Sequence, residues 1–406
     1  MSENRSRWSR RRVLGTVATG ASALVAGCGY QPGGGEFVWE ESLPTGIHPS
    51  ADTGGSLWRS GRRLLYRIRN RSGQGIDFGS GGFVELDDAQ VTAYDSSGSR
   101  VWEGETASQY AGLPAVADGR VVCSLENETV VALEPDPDEA DGGAESVTSR
   151  DSDDPDTVWT TEWDGPRLRF RASPTLAVGV HQAGVVAFAL ADGKELFSID
   201  REDAPIDDLD DGAVGADHVW IVGGSDPTLL GYDAEGTRTV SRALPSTPYW
   251  LETAGSVAVL GIETESGEDE LWFVDAAGTQ RGRLSIDRSG SSPTIVANRA
   301  YRAIDGTIRA IDCSSGERHW TLEGCEIRGD IVADTDRLYA RGTTPEMDDC
   351  GLFAIDRDGT VAWTASVPEE PGCSGDLFAL EDRLIALGDE NMYGFRKTSG
   401  RRLTLL

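Results

Sequence analysis

Lysine is almost missing from this 406-residue chain: Lys194 and Lys397 stand against 35 arginines. Acids number 68 and the formal net charge is -31. A field of that sign repels polyanions, which excludes nucleic acid as a partner and opposes direct binding to anionic headgroups. Histidine is scarce as well, with His48, His181, His218 and His319, and no two stand at metal-ligand spacing. The six cysteines, Cys28, Cys123, Cys313, Cys325, Cys350 and Cys373, include no adjacent pair and no haem-attachment motif. No nucleophile elbow and no phosphate-binding glycine loop occurs. Long apolar runs are absent too. The longest, Val13 to Ala26, falls short of the ~20 residues a membrane-spanning helix needs.

What is present begins at the N-terminus. Arg5, Arg7, Arg10, Arg11 and Arg12 precede that apolar run, which ends in "VAGC" and a glycine-rich exit. A basic region, a short apolar core and small residues before a cleavage point make a signal peptide over residues 1–27. "SRRRVL" (Ser9 to Leu14) resembles the twin-arginine signal, which exports folded proteins, and "VAGC" resembles a lipobox. The reading expects Cys28 to carry lipid, residues 28–36 to form a linker, and the rest to sit outside the cytoplasmic membrane on that anchor. Arginine in place of lysine, with abundant acids, suits high salt, where the Debye length shrinks to about 3 Å. It resembles the proteins of salt-loving archaea.

From residue 37 onward the chain repeats itself. "AIDCSSGERHW" (Ala310 to Trp320) has relatives in "TAYDSSGSRVW", "LGYDAEGTRTV", "WFVDAAGTQRG" and "LFAIDRDGTVAW". Degenerate copies are "VALEPD", "VAFALADGKELF" and "MYGFRKTSGRRL". The marker positions are Asp95, Glu134, Ala189, Asp233, Asp275, Asp312, Asp356 and Arg396, spaced 37 to 55 residues apart. Strand–turn–strand patterns such as "IVADTDRLYARG" precede most copies, and no amphipathic helical stretch appears. Units of about 40 residues with four short strands are propeller blades. Each Asp at a strand end can bond backbone N–H groups of the turn, and the glycines Gly98, Gly236, Gly278, Gly316 and Gly359 supply positive φ. Gly follows three positions after Asp95, Asp233, Asp275 and Asp356 and four after Ala189, Asp312 and Arg396, so two turn lengths are expected. The closing aromatics Trp102, Phe197, Trp320 and Trp363 begin an outer strand and are expected to dock on the next blade.

These residues resemble the PQQ-binding-like β-propeller repeat, over roughly Trp39 to Leu406. The resemblance implies one all-β domain, residues 37–406, of eight four-stranded antiparallel blades, with seven as the alternative. It also implies ring closure by "FVWEESL" (Phe37 to Leu43) beside the last blade. A quinoprotein dehydrogenase of alcohols or sugars is the enzyme reading. It would need adjacent bonded cysteines over the quinone, a Trp below it, and carboxylate and amide ligands to Ca²⁺. The cysteines depart from that pattern, so no catalytic or cofactor residue is assigned, and PQQ with Ca²⁺ stays the minor reading. The leading one is a monomeric, non-catalytic scaffold that binds a protein or small ligand on a propeller face.

One stretch breaks the repeat: residues 135–156 hold nine acids, one Arg and Val147 as the single larger apolar residue. Such a composition cannot bury a core, so a disordered acidic loop is expected there. In blade geometry Cys325, Cys350 and Cys373 share one rim and Cys313 lies on the opposite face. The expected disulfide is Cys350–Cys373, with Cys325–Cys350 as the alternative and Cys123 a buried thiol; an oxidising location permits either bond. Asn70 ("NRS") and Asn127 ("NET") are glycosylation sequons.

Overall fold

Period-2 alternation with turn residues every few positions leaves this sequence only strands, and the computed structural model is all-β. It describes residues 34–42, 56–60, 64–77, 82–134, 157–181, 184–200, 203, 209–286, 292–304, 306–347, 349–368, 375–388 and 391–398. The signal-peptide reading, Cys28, Cys373 and the acidic stretch 135–156 lie outside these residues. No helix among the described residues is long and apolar enough to cross a membrane.

Among the described residues the strands form seven hydrogen-bonded sheets, five of them four-stranded, one eight-stranded and one five-stranded. Dividing the eight-stranded sheet at its single parallel bridge leaves eight antiparallel units. Unit 1 contains Ser56–Ser60, Leu64–Asp77, Gly82–Tyr94 and Arg100–Glu105. Units 2 to 7 follow at 110–162, 169–200, 209–243, 250–285, 294–323 and 326–365. Unit 8 takes Leu377–Ala379, Arg383–Leu387 and Asn391–Arg396 from the end of the chain and Phe37–Ser42 from its start. Trp39 pairs with Gly394 and Glu40 with Tyr393, so the two ends of the described chain share one sheet. Closure through the N-terminal segment is the arrangement the repeat implied. It begins earlier than Phe37: Gly34 and Gly35 are buried, and Gly35 N–H donates to Arg396 O at 2.8 Å.

Two irregularities bear on the ring. A parallel bridge, Arg169 to Leu113, joins the first strands of units 2 and 3. Unit 7's first strand is split into Glu326–Ile327 and Val332–Ala333. Unit 1 also differs from the short runs the repeat implies, since its two middle strands pair all the way to Asp77 and Gly82. Turn-type residues already cluster at "NRSGQG" (70–75), yet the pairing runs on past them to the glycines at 79–82.

No single body of apolar side chains forms the core. Eight clusters lie between consecutive units instead, and the last of them, with Leu65 and Tyr94 against Leu380, Ile385 and Met392, seals unit 8 to unit 1. First strands of successive units adjoin one another, which sets the inner strands side by side around a common axis. The fold is a β-propeller.

Candidate functional site at the seams and the inner face

Four of the five repeated Asp residues perform one task. Asp95 Oδ1 accepts the N–H of Ser97 at 2.8 Å and of Ser99 at 3.1 Å. Asp233 does the same for Glu235 and Thr237, Asp275 for Ala277 and Thr279, and Asp312 for Ser314 and Ser315. Seryl donors above all hold the Asp312 carboxyl below the usual carboxylate range. At Asp275 the N–H of Thr279 and the Arg281 guanidinium outweigh burial and pull it the same way. Asp356 is used differently, accepting Arg337 Nε at 2.7 Å across the strands. Gly98, Gly236, Gly278, Gly316 and Gly359 all have positive φ, between 71° and 92°. Both turn lengths occur: Gly278 N–H donates to Asp275 O, whereas Gly316 N–H donates to Asp312 O one residue further back.

These glycines serve a second purpose. A Cβ on Gly359 would lie 2.8 Å from the Trp320 ring, and one on Gly236 would lie 2.6 Å from Phe197. Trp320 and Phe197 therefore lie on the turn glycine of the following unit. Trp363 lies on Gly34 and Gly35, and Trp102 is buried with Val121, Cys123 and Leu133 of unit 2. Two such aromatics escaped the sequence reading: Trp159, which lies on Gly193, and Trp39, which lies on Gly98. The acidic stretch separates Trp159 from its marker Glu134, and Trp39 stands at the far end of the chain from its unit.

The indole N–H groups follow the same rule. Trp39, Trp159, Trp320 and Trp363 donate to the carbonyls of Ser96, Leu190, Arg357 and Lys397, at 2.9 to 3.1 Å. Each acceptor is the residue after a marker. Two carbonyls receive a further donor from the first residue of a second strand: Arg120 Nη1 reaches Leu190 O and Arg337 Nη1 reaches Lys397 O, both at 2.8 Å. The Arg of "DGR" (118–120) and "DRL" (336–338), at the start of each second strand, is the sequence signal for this cation. Lys397 itself is buried, with Nζ 2.5 Å from Asp334 Oδ2 and over the Tyr339 ring. Burial alone would raise the Asp334 carboxyl, but Lys397 and the N–H groups of Arg337 and Asp336 outweigh it and hold it low.

The inner strands carry charge of another kind. Arg171 Nη2 bridges to Asp211 Oδ1 at 3.2 Å, from unit 3 to unit 4. Glu252 follows on the first strand of unit 5. Burial pushes its carboxyl up, and Asp211 adds to that while Arg171 and Ser292 oppose it. In unit 7 Arg341 is buried, donates to Leu387 O at 2.8 Å, and is lowered by desolvation.

Cys350 is disulfide-bonded, while Cys123, Cys313 and Cys325 are free and buried. The Cys325–Cys350 alternative therefore drops out. Burial raises the thiols of Cys123 and Cys313 to about 12, which keeps them protonated and unreactive. His319 is exposed, and His218 Nε2 lies 3.3 Å from Thr239 Oγ1. Among the described residues no three His, Cys, Asp or Glu side chains come together as a metal site.

The family model described as outer membrane protein assembly factor BamB matches residues 30–204 and 255–404, and the gap between the two matched stretches contains unit 4. A search of the curated proteins returned no match. Among solved structures, BamB from Moraxella catarrhalis is 15% identical over 89% of this chain and 97% of that one, with a TM-score of 0.44. Saccharomyces cerevisiae Sqt1 is 11% identical, covering 84% and 95%, with a TM-score of 0.48. The WD40 domain of Toxoplasma gondii coronin is 11% identical, covering 90% and 87%, with a TM-score of 0.47. With the matched stretches taking in nearly every unit described above, the chain belongs to the outer membrane protein assembly factor BamB family of PQQ-like repeat propellers.

Proposed function

We propose that this protein is a non-catalytic, eight-bladed scaffold, each four-stranded unit being one blade, held by a lipid on Cys28 at the outer face of the cytoplasmic membrane. The observation that carries the reading is the family match over residues 30–204 and 255–404, since that family is described as an assembly factor. Its partner is a protein that docks on a propeller face. The repeated Asp, Gly and Trp residues are occupied in turns and seams, which leaves them no catalytic role. Arg171, Asp211 and Glu252 offer polar groups of both signs at the inner strands, suited to orienting a polypeptide.

The test uses the full chain in its own membranes. With only two lysines, amine-directed cross-linkers report little, so a photoreactive residue is placed at Asp211 or, on an outer strand, at Val158. A discrete protein adduct from position 211 and none from position 158 is expected, on a chain whose N-terminus is acylated Cys28. Dye reduction by alcohols or sugars on adding PQQ and Ca²⁺ would overturn the reading.

A further inference from the structure

Two sequons look alike in sequence and differ in the fold. Asn70 lies within Leu64–Asp77, and its side-chain amide is used at both ends. Asn70 Nδ2 donates to Tyr110 O at 3.0 Å and Asn70 Oδ1 accepts Tyr110 N–H at 2.8 Å. The amide thus imitates a backbone strand partner and ties unit 1 to the first strand of unit 2. Attaching a sugar to that nitrogen replaces one of its two N–H groups and sets a bulky group against the Tyr110 pairing.

Both side chains are exposed, and what differs is what the amide holds: that of Asn127 ties no strand. Asn127 lies in the turn between Arg120–Leu125 and Thr129–Leu133, next to Glu128 at φ 65°. Thr129 Oγ1 donates to Asn127 Oδ1 at 2.6 Å, so the sequon hydroxyl already polarises the amide carbonyl. Its Nδ2 makes no hydrogen bond among the described residues and faces solvent. The residues that fix this turn do so through other groups: Glu126 N–H donates to Gln109 O and Trp163 N–H donates to Glu128 O.

We infer that Asn127 is a glycan attachment site and that Asn70 is a structural clamp which the fold withholds from modification. The inference rests on the proposed export for where the reaction takes place and for the folded state in which the chain meets it. Export in the folded state makes folded-state access decisive. The co-reactant is a lipid-phosphate-linked oligosaccharide. A bond forms between Asn127 Nδ2 and the sugar's anomeric carbon, the bond from that carbon to the phosphate oxygen breaks, the lipid phosphate leaves, and the amide nitrogen gives up one proton. Nothing is oxidised or reduced.

The experiment offers the purified, folded full chain to a single-subunit oligosaccharyltransferase with its lipid-linked donor, followed by glycopeptide mapping. Running it outside the cell separates it from failure of the export reading. Peptides spanning 64–77 and 120–133 serve as controls for intrinsic reactivity. Glycan on Asn127 alone in the folded chain, with both peptides modified, is expected, and Asn127→Gln should abolish it. Glycan on Asn70 in the folded chain, or none on Asn127 while its peptide reacts, would overturn the inference, as would an Asn70 peptide that fails to react. Asn70→Gln should leave Asn127 modification intact and lower the thermal midpoint, whereas an unchanged midpoint contradicts the clamp.

Discussion

Two seams of the ring solve one packing problem in opposite ways. Between units 6 and 7, Trp320 on the outer strand stands opposite Ala310 on the third strand and lies on Gly359 of the next unit. Between units 5 and 6 the sizes are exchanged: Gly282 takes the outer-strand place and Phe273 the third-strand place opposite it. A Cβ on Gly282 would come within 2.5 Å of Gly316 Cα, so backbone meets backbone where an indole lies elsewhere. Ala93, Ala132, Ala187 and Ala354 face Trp102, Trp159, Phe197 and Trp363, and Gly394 faces Trp39. One large and one small residue fill each of these seams. Close packing fixes the summed volume, while either strand can supply it.

The largest expected effect comes from removing a wedge. Trp320→Ala should cost about 3–5 kcal/mol, read as a shift in the denaturant midpoint, because both the ring's apolar contacts and the Arg357 carbonyl's donor are lost. A loss below about 1 kcal/mol would mean that the seam collapses around the gap.

Glycine variants separate conformation from space. Gly278 and Gly359 both have positive φ, so Ala at either position pays for the left-handed backbone, about 1–2 kcal/mol. Only Gly359 also lies under a ring: Gly278 meets Val240 at 3.2 Å, a contact that can yield. Gly359→Ala should therefore exceed Gly278→Ala by about 1–3 kcal/mol. Equal losses would show that the turn alone requires glycine.

The smallest effect is a difference in pH response between rim and axis. Asp334 is held below its unfolded value, so its contribution is present above about pH 4 and is lost as pH falls through the depressed folded value. Glu252 is raised, so stability falls as pH rises from about 4 through its folded value. Asp334→Asn should destabilise at neutral pH and flatten the acid limb of the midpoint profile, whereas Glu252→Gln should stabilise at neutral pH and lose that gain in acid. Matching profiles from the two variants would break the distinction.

Much of the seam was legible in sequence. "AIDCSSGERHW" shows the Asp, the Gly and the closing Trp, and the interval between copies shows the blade. The Ala two places before Asp95, Asp312 and Asp356 was equally visible, and it pairs with the Trp. "WFVDAAGTQRG" printed the exchange in full, with Phe273 two places before Asp275 and Gly282 where Trp stands elsewhere. Other features depend on tertiary placement that no local pattern encodes. Asn70 reaches Tyr110 across 40 positions, and Lys397 reaches Asp334 across 63. Inner-face charges such as Glu252 carry no motif, because their meaning lies in which strands adjoin at the axis.

The repeated residues build the wall, one large and one small side chain per seam, and are free to trade places. A double-mutant cycle at the seam between units 5 and 6 tests it. Phe273→Ala alone should cost about 3–5 kcal/mol by opening a cavity, and Gly282→Trp alone about 1–3 kcal/mol by overpacking. The double variant recreates the Trp320 arrangement, with the new indole lying on Gly316, and should recover at least about 1 kcal/mol relative to the sum of the singles. Strict additivity, or a double variant worse than both singles combined, would contradict the claim.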